Sequence, residues 1–196
     1  IEDLRREGQI GFFTNISANL NASRGNRDRD FYSAQLRFDN NSEDAESFLI
    51  LQQSERKSND KAIDESTFIH GRYILVGDEA VNWELFAQYS ENPFRNYKKR
   101  SVLGGGLRYK LSDSARLGAG LLNEDETDLT GRSKTTERFG FYLHNSIKLA
   151  ENIALKPTIY FQPSIDDFEN DYKASIILAL DFKVNENFKI TMQYSS

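Results

Sequence analysis

The 196 residues include no cysteine, two histidines, three prolines, one methionine and one tryptophan. Without cysteine there is no disulfide, no thiolate metal site and no cysteine nucleophile. Any imidazole chemistry is confined to His70 and His144. Long hydrophobic runs are lacking too. The longest, Ala174 to Leu180, is interrupted by Ser175, far short of the ~20 apolar residues a transmembrane helix needs. No sign of charge dominates: Lys+Arg 25 stand against Asp+Glu 30, for a net charge of -5. That balance argues against a nucleic-acid platform built on a basic field. The opening residues, Ile1 to Gln9, have no signal-peptide pattern, so such a peptide was removed or none existed.

A mean hydropathy of -0.63 suggests a polar, soluble chain. That average misleads where apolar and polar residues alternate, and here they do. From Ser101 to Leu122 the residues Leu103, Leu107, Tyr109 and Leu111 share one face, with Arg108 and Lys110 on the other. After Ser112-Asp113-Ser114 the pattern resumes with Leu117, Ala119 and Leu121 against Arg116, Gly118 and Gly120. Period-two alternation around a short polar turn predicts a β-hairpin. The same pattern recurs from Ile10 to Tyr194 and predicts eleven strands in one domain, residues 1–196, with 1–9 as a periplasmic segment. Strand three is read with Leu49 and Leu51 outward and Glu46, Phe48 and Ile50 inward. Pro157 lies inside the ninth predicted strand and removes one ladder donor.

Two regularities favour a membrane barrel over a soluble sandwich. Connections are expected to alternate long and short, with Ser54 to Glu65 and Asn123 to Thr135 among the long ones, as in barrels with long outside loops and short periplasmic turns. Aromatics on the apolar face gather at both ends of the strands: Tyr73, Trp83, Tyr109 and Phe182 toward the short turns, with Phe12, Phe38 and Phe188, and Tyr89, Phe139, Phe161 and Tyr172 toward the long loops. Two such girdles around an aliphatic band suit two membrane interfaces. The expected fold is an all-β, antiparallel, up-and-down transmembrane β-barrel. Eleven strands leave an odd count, so a twelfth is expected after Ser196.

The opposite face is the expected lumen. It carries Arg37, Arg72, Arg108, Lys110, Arg116, Arg138, Lys148 and Lys173, with Glu84 and Asp181 among few carboxylates. Buried charge must be paired or wet. A water path along this face would favour anions; a closed one would be an ion-pair network plugging a narrow barrel. Gly104, Gly106, Gly118 and Gly120 are expected on this face, leaving room for arginines to reach across.

Catalytic and metal-binding constellations are weak. His70 and His144 fall on strands expected to lie well apart. His144 and Ser146 resemble the His-x-Ser spacing of outer-membrane phospholipase A, but point away from the predicted lipid face, and a serine nucleophile needs a base within reach. Acidic residues such as Glu124 and Asp128 are expected in loops, where oxygen ligands could meet hard cations, without EF-hand spacing. Basic positions Arg24, Arg27, Arg29, Lys98, Lys99 and Arg100 are expected in loops, where they could meet lipopolysaccharide phosphates. No cofactor and no metal are called for.

The segments LGGGLRYKL…ARLGAGLLNED, HGRYILVGDEAVNWELFAQYSENPF and DYKASIILALDFKVNENFKITMQYSS resemble the salt-induced outer-membrane proteins of Gram-negative bacteria (YdiY-like), a domain of unknown function. The resemblance implies an outer-membrane location and an envelope- or osmotic-stress link. The leading expectation is a non-enzymatic, narrow or plugged pore with long loops extracellular, touching outer-membrane lipid and lipopolysaccharide. The alternatives are a lipid- or lipopolysaccharide-modifying enzyme, and a scaffold whose loops hold a protein partner of the envelope.

Overall fold

A computed structural model describes residues 9–77, 80–94, 97–184 and 189–195. The described residues form strands β1 (Gly11–Ser23), β2 (Arg29–Asn41), β3 (Ala45–Ser58), β4 (Lys61–Leu75), β5 (Val81–Glu91) and β6 (Tyr97–Lys110). These continue with β7 (Ala115–Asp128), β8 (Ser133–Asn145), β9 (Ile147–Ala150), β10 (Ile153–Pro163), β11 (Tyr172–Lys183) and β12 (Lys189–Ser195). Pairing is antiparallel throughout, in the order β1 to β8, then β10, β11 and β12, with β9 also on β10. Strands β8 and β9 are one strand interrupted at Ser146, so the sheet has eleven strand positions.

The interruption has a chemical cause. β10 pairs with β9 up to Leu155↔Ile147 and resumes on β8 at Thr158↔His144. Pro157, which has no N–H, falls in the skipped stretch, while its other side still pairs with Leu178 of β11. The ladder defect expected at Pro157 is therefore present, and the facing strand breaks opposite it.

Alternation puts two chemistries on the two faces. Outward, Leu103 is 67% and Leu85 64% exposed. Contiguous exposed apolar area of this kind marks a surface made for an apolar partner or solvent. Inward, Phe48, Ile50, Ile74, Val102 and Leu122 are buried together with charged residues. The strand-three phase stands, with Leu49 exposed and Phe48 and Ile50 buried.

The sheet curls around this inner face. Four strand spacings of about 4.8 Å would set a flat β4 and β8 about 19 Å apart. Instead the Arg72 guanidinium of β4 lies 5.7 Å from the Tyr142 ring of β8. Strands four and eight, expected to lie well apart, therefore meet through their inward side chains. Glycine permits the curvature. Gly106, Gly120 and Gly140 face one another across β6, β7 and β8. A Cβ on Gly120 would sit 2.3 Å from the Gly105 carbonyl oxygen, so the two backbones approach too closely for any side chain.

The connections correct the expected long–short alternation. Ser54 to Glu65 is not a loop. β3 and β4 run through it and join at Asn59 and Asp60, both with positive φ (48° and 62°), as a two-residue type I′ turn demands. Asn123 to Thr135 is likewise mostly strand, closed at 129–132 by Asp128, whose carboxylate accepts the Thr130 and Arg132 N–H groups at 2.8 and 3.0 Å, with Gly131 at φ 87°. Among the described residues, 164–171 is the one extended connection that remains on that side. The asymmetry lies in strand overhang: β4 has 15 residues, where about 9 to 11 cross a membrane. The expected periplasmic segment lies outside the described residues except Gln9, whose carbonyl accepts the Asn41 amide at 3.1 Å. The turn at Asn185 to Asn187, Phe188 and any strand after Ser196 also lie outside them.

β1 and β12 are not paired with each other among the described residues. Both run in the same direction, from the end marked by Gly11↔Asn41 and Lys183↔Lys189, so a direct seam between them would be parallel.

Candidate functional site

The inner face is the only surface where charge, burial and convergence from many strands coincide among the described residues, and two clusters organise it. The first lies toward the middle. Glu84 on β5 is 4% exposed. It accepts the Tyr142 hydroxyl at 3.0 Å and lies 3.5 Å from an Arg72 guanidinium nitrogen. Arg72 stands near the faces of Phe48, Phe86 and Tyr142, at 5.9, 5.5 and 5.7 Å from the ring centroids. Cation–π contact and a carboxylate together make its burial tolerable. Beside it, His70 is packed among the rings of Phe48, Phe68 and Phe86. A cavity of about 60 Å³ remains between β4, β5 and β8, room for a water or two.

The glycines make this cluster possible, though not as expected. A Cβ on Gly118 would fall 1.9 Å from the Tyr142 ring, and one on Gly104 would fall 2.5 Å from Phe86. The space they leave is filled by aromatic rings, not by arginines reaching across.

The second cluster sits above, where the outward faces of β6 to β8 turn polar. Glu124 is 2% exposed. It is held by Arg100 (Nε at 2.8 Å), by Lys173 at 2.7 Å and by Arg138 at 3.4 Å. Lys173 also reaches Glu126 at 2.7 Å, and Arg138 reaches Asp171 at 2.7 Å. Burial alone would raise the Glu124 carboxyl, but Arg100 and Lys173 outweigh it and hold it below the usual range. Asp171 is held low by hydrogen bonds from Lys134 and Arg138. Glu124 and Arg100, expected as loop residues open to cations or lipopolysaccharide, are thus paired with each other on the inner face. The error has one source: polar overhanging strands lose hydrophobic periodicity and look like loop.

The remaining expected lumen residues divide by position. Arg37 is fully buried, chelates Asp39 through contacts of 2.7 to 3.0 Å and lies over Phe48 at 4.5 Å. Arg108 is 2% exposed beside Gly118. Asp181 pairs with Lys156 at 2.9 Å. Lys110 and Lys148 are exposed, Lys110 pairing with Asp113 at 2.8 Å. Arg116 donates to the Ser112 and Ala115 carbonyls at the same rim.

Of the expected interface aromatics, Tyr73, Trp83, Tyr109 and Tyr172 are exposed on the outer face, and Tyr89, Phe139, Phe161 and Phe182 are half-exposed. Phe168, in the connection between β10 and β11, packs against Phe139 and Phe161 at 6.4 and 6.0 Å. His144 is hydrogen-bonded with Thr158 at 2.8 Å, and Ser146 sits at the strand break, its N–H donating to the Ser114 carbonyl. The two histidines keep separate surroundings, one aromatic and one beside a hydroxyl.

An apolar outer face, a cross-linked charged interior and meandering antiparallel strands define the class of the up-and-down β-barrels. The translocator domain of the autotransporter NalP from Neisseria meningitidis has this fold at a TM-score of 0.53 and 11% identity, over 99% of this chain and 85% of that one. The NanC porin matches at 0.52 and 8% identity, over 91% of this chain and 87% of that one. Within that class, the chain belongs to the family described as a protein of unknown function, DUF481, which it matches over residues 16–196. No curated protein matches it.

Proposed function

We propose that this chain is an integral outer-membrane β-barrel that acts as a narrow, anion-preferring pore and carries no catalytic site. The observation that carries the reading is the division of the inner face. From β4 to β11 it is filled, with Arg72, Glu84 and Tyr142 meeting across the interior. Along β1 and the upper parts of β2 and β3 it is polar and open. A path along that open side passes a face on which cations outnumber carboxylates, and such a path prefers anions. The aromatics at both ends of the outer strands support the membrane placement. The longer overhang of β3, β4, β7 and β8 supports an orientation with those hairpins outside the cell. The two solved barrels of like fold, one named a porin, support the pore class. A link to salt or osmotic stress rests on the family resemblance alone.

Liposome swelling tests the reading. Vesicles holding the protein should admit a small carboxylated sugar such as gluconate faster than a neutral sugar of the same size. Equal rates, or none above protein-free vesicles, would remove the pore.

A further inference from the structure

At the overhanging end of β1 to β3 the inner face forms an open recess of about 670 Å³, within the size range of small-molecule sites. Three arginines border it: Arg27 in the connection between β1 and β2, Arg29 on β2 and Arg56 on β3. Among the described residues none of the three pairs with a carboxylate. The nearby acids are engaged elsewhere. Asp30 shares the recess wall but is held by Arg24 at 2.5 Å, and the Asp28 carboxylate accepts the Gly25 N–H at 3.3 Å. Asp64, directly across from Arg56 in register, accepts the Asn92 amide at 3.1 Å. Elsewhere on the inner face arginines are matched to acids, as Arg37 is to Asp39 and Arg138 to Asp171.

Register fixes the arrangement. Ser23, Arg29 and Ser58 lie in one row across the three strands, and Asn21, Phe31 and Arg56 in the next. Arg29 and Arg56 are therefore diagonal neighbours, about 7–8 Å apart at their origins. Two like charges at that spacing repel, and an oxyanion between them turns repulsion into charge-assisted hydrogen bonding. The Arg56 guanidinium lies over the Phe31 ring, 5.5 Å from its centroid, and both side chains line the recess. The next row down is uncharged: Asn19 donates to Ser33 at 3.2 Å, and Ser54 and Ser66 share a hydrogen bond at 2.8 Å. Below it lie Ser17, Gln35 and Gln52.

We propose that this recess binds an acidic saccharide, its carboxylate between Arg29 and Arg56 and its hydroxyls on the amide and hydroxyl rows beneath. Inorganic phosphate would use the arginines and leave those rows idle, since amides and hydroxyls offer donors and acceptors together, as sugar hydroxyls require. A lipid would need an extended apolar surface, and the recess wall offers only Phe31 and Ile63 as large apolar side chains against seven polar or charged residues. The site deepens the pore reading and rests on it only for onward passage of the solute.

Calorimetric titration of the full chain in detergent micelles, with trigalacturonate, galactotriose and inorganic phosphate as probes, tests it. The expected result is trigalacturonate binding, no galactotriose binding, and at least tenfold weakening in Arg56→Gln and in Arg29→Gln. Asn19→Ala with Asn21→Ala should weaken trigalacturonate severalfold and leave phosphate unchanged. Circular dichroism and heat-modifiable gel mobility confirm that each variant is folded. Should a variant not fold, loss of wild-type affinity with rising salt replaces it, and a salt-independent affinity overturns the site. Phosphate bound as tightly as trigalacturonate overturns the saccharide, and affinity untouched by both arginine changes overturns the site. Binding by a protein that admits no solute into vesicles leaves the site standing and removes the pore.

Discussion

Glu124→Gln keeps the size of the side chain and removes the charge at the centre of the upper network. In the native chain its carboxylate faces Arg100, Arg138 and Lys173. Leaving a buried charge without its partner costs about 3–5 kcal/mol. Two of the three cations, however, have second acids: Arg138 has Asp171 and Lys173 has Glu126, both at 2.7 Å. Arg100 alone loses its carboxylate, and it is 20% exposed at its side chain, so water offsets part of the loss. The expected cost is about 2–3 kcal/mol, below the full penalty. Urea unfolding in lipid vesicles measures it, read through the fluorescence of the single tryptophan, Trp83, which stands on the outer face. Glu126→Gln, at the more exposed end of the same network, should cost under about 1 kcal/mol. Adding Arg100→Met to Glu124→Gln should recover at least about 1 kcal/mol, because it removes the orphan. Equal costs for Glu124→Gln and Glu126→Gln, or strict additivity in the double variant, would refute the network as drawn.

Other outcomes follow from the same contacts. Because Glu124 and Asp171 are held below their ordinary range, their contribution to stability is complete above about pH 4–5 and is lost as pH falls through the lowered values. Unfolding curves should be flat from neutral pH to about 5 and drop below about 4, the drop shrinking in Glu124→Gln; a loss beginning near neutrality would contradict the pairing. Gly118→Ala must displace the Tyr142 ring, whereas Gly120→Ala must push backbone away from backbone. Tyr142→Ala should therefore suppress at least about 1 kcal/mol of the first cost and none of the second in double-variant cycles. Leu85→Arg, on the outer face, should cost about 2–4 kcal/mol in a bilayer. A neutral effect there would show that this face does not meet lipid.

The fold was legible wherever one face of a strand was apolar. Leu103, Leu107 and Tyr109 against Arg108 suffices to place β6, and the same alternation orders the strands from β1 to β12. Legibility ends where the strands leave the apolar band: from Ser54 to Glu65 both faces are polar, the period vanishes, and two strands with an Asn59-Asp60 turn read as loop. That loss carried Glu124 and Arg100 into imagined loops. Of the site, the buried charges were readable one by one, since a charge on an alternating face must point inward. Their partners were not, because Glu84 with Tyr142 is a contact across 58 residues that depends on how tightly the sheet curls. The curl in turn depends on glycines facing glycines across β6 to β8, a coincidence of register that no single strand displays.

The central claim is that Arg72, Glu84 and Tyr142 fill one side of the interior and so narrow the anion path that runs along the inner face beside β1 to β3. Planar-bilayer recording under a potassium chloride gradient tests it most directly, with Tyr142→Phe as control for the ring and Tyr142→Ala to remove it. The account predicts small single-channel currents with an anion-selective reversal potential, little changed in Tyr142→Phe and at least doubled in Tyr142→Ala. No current from any of the three, or the same current from all of them, would contradict it.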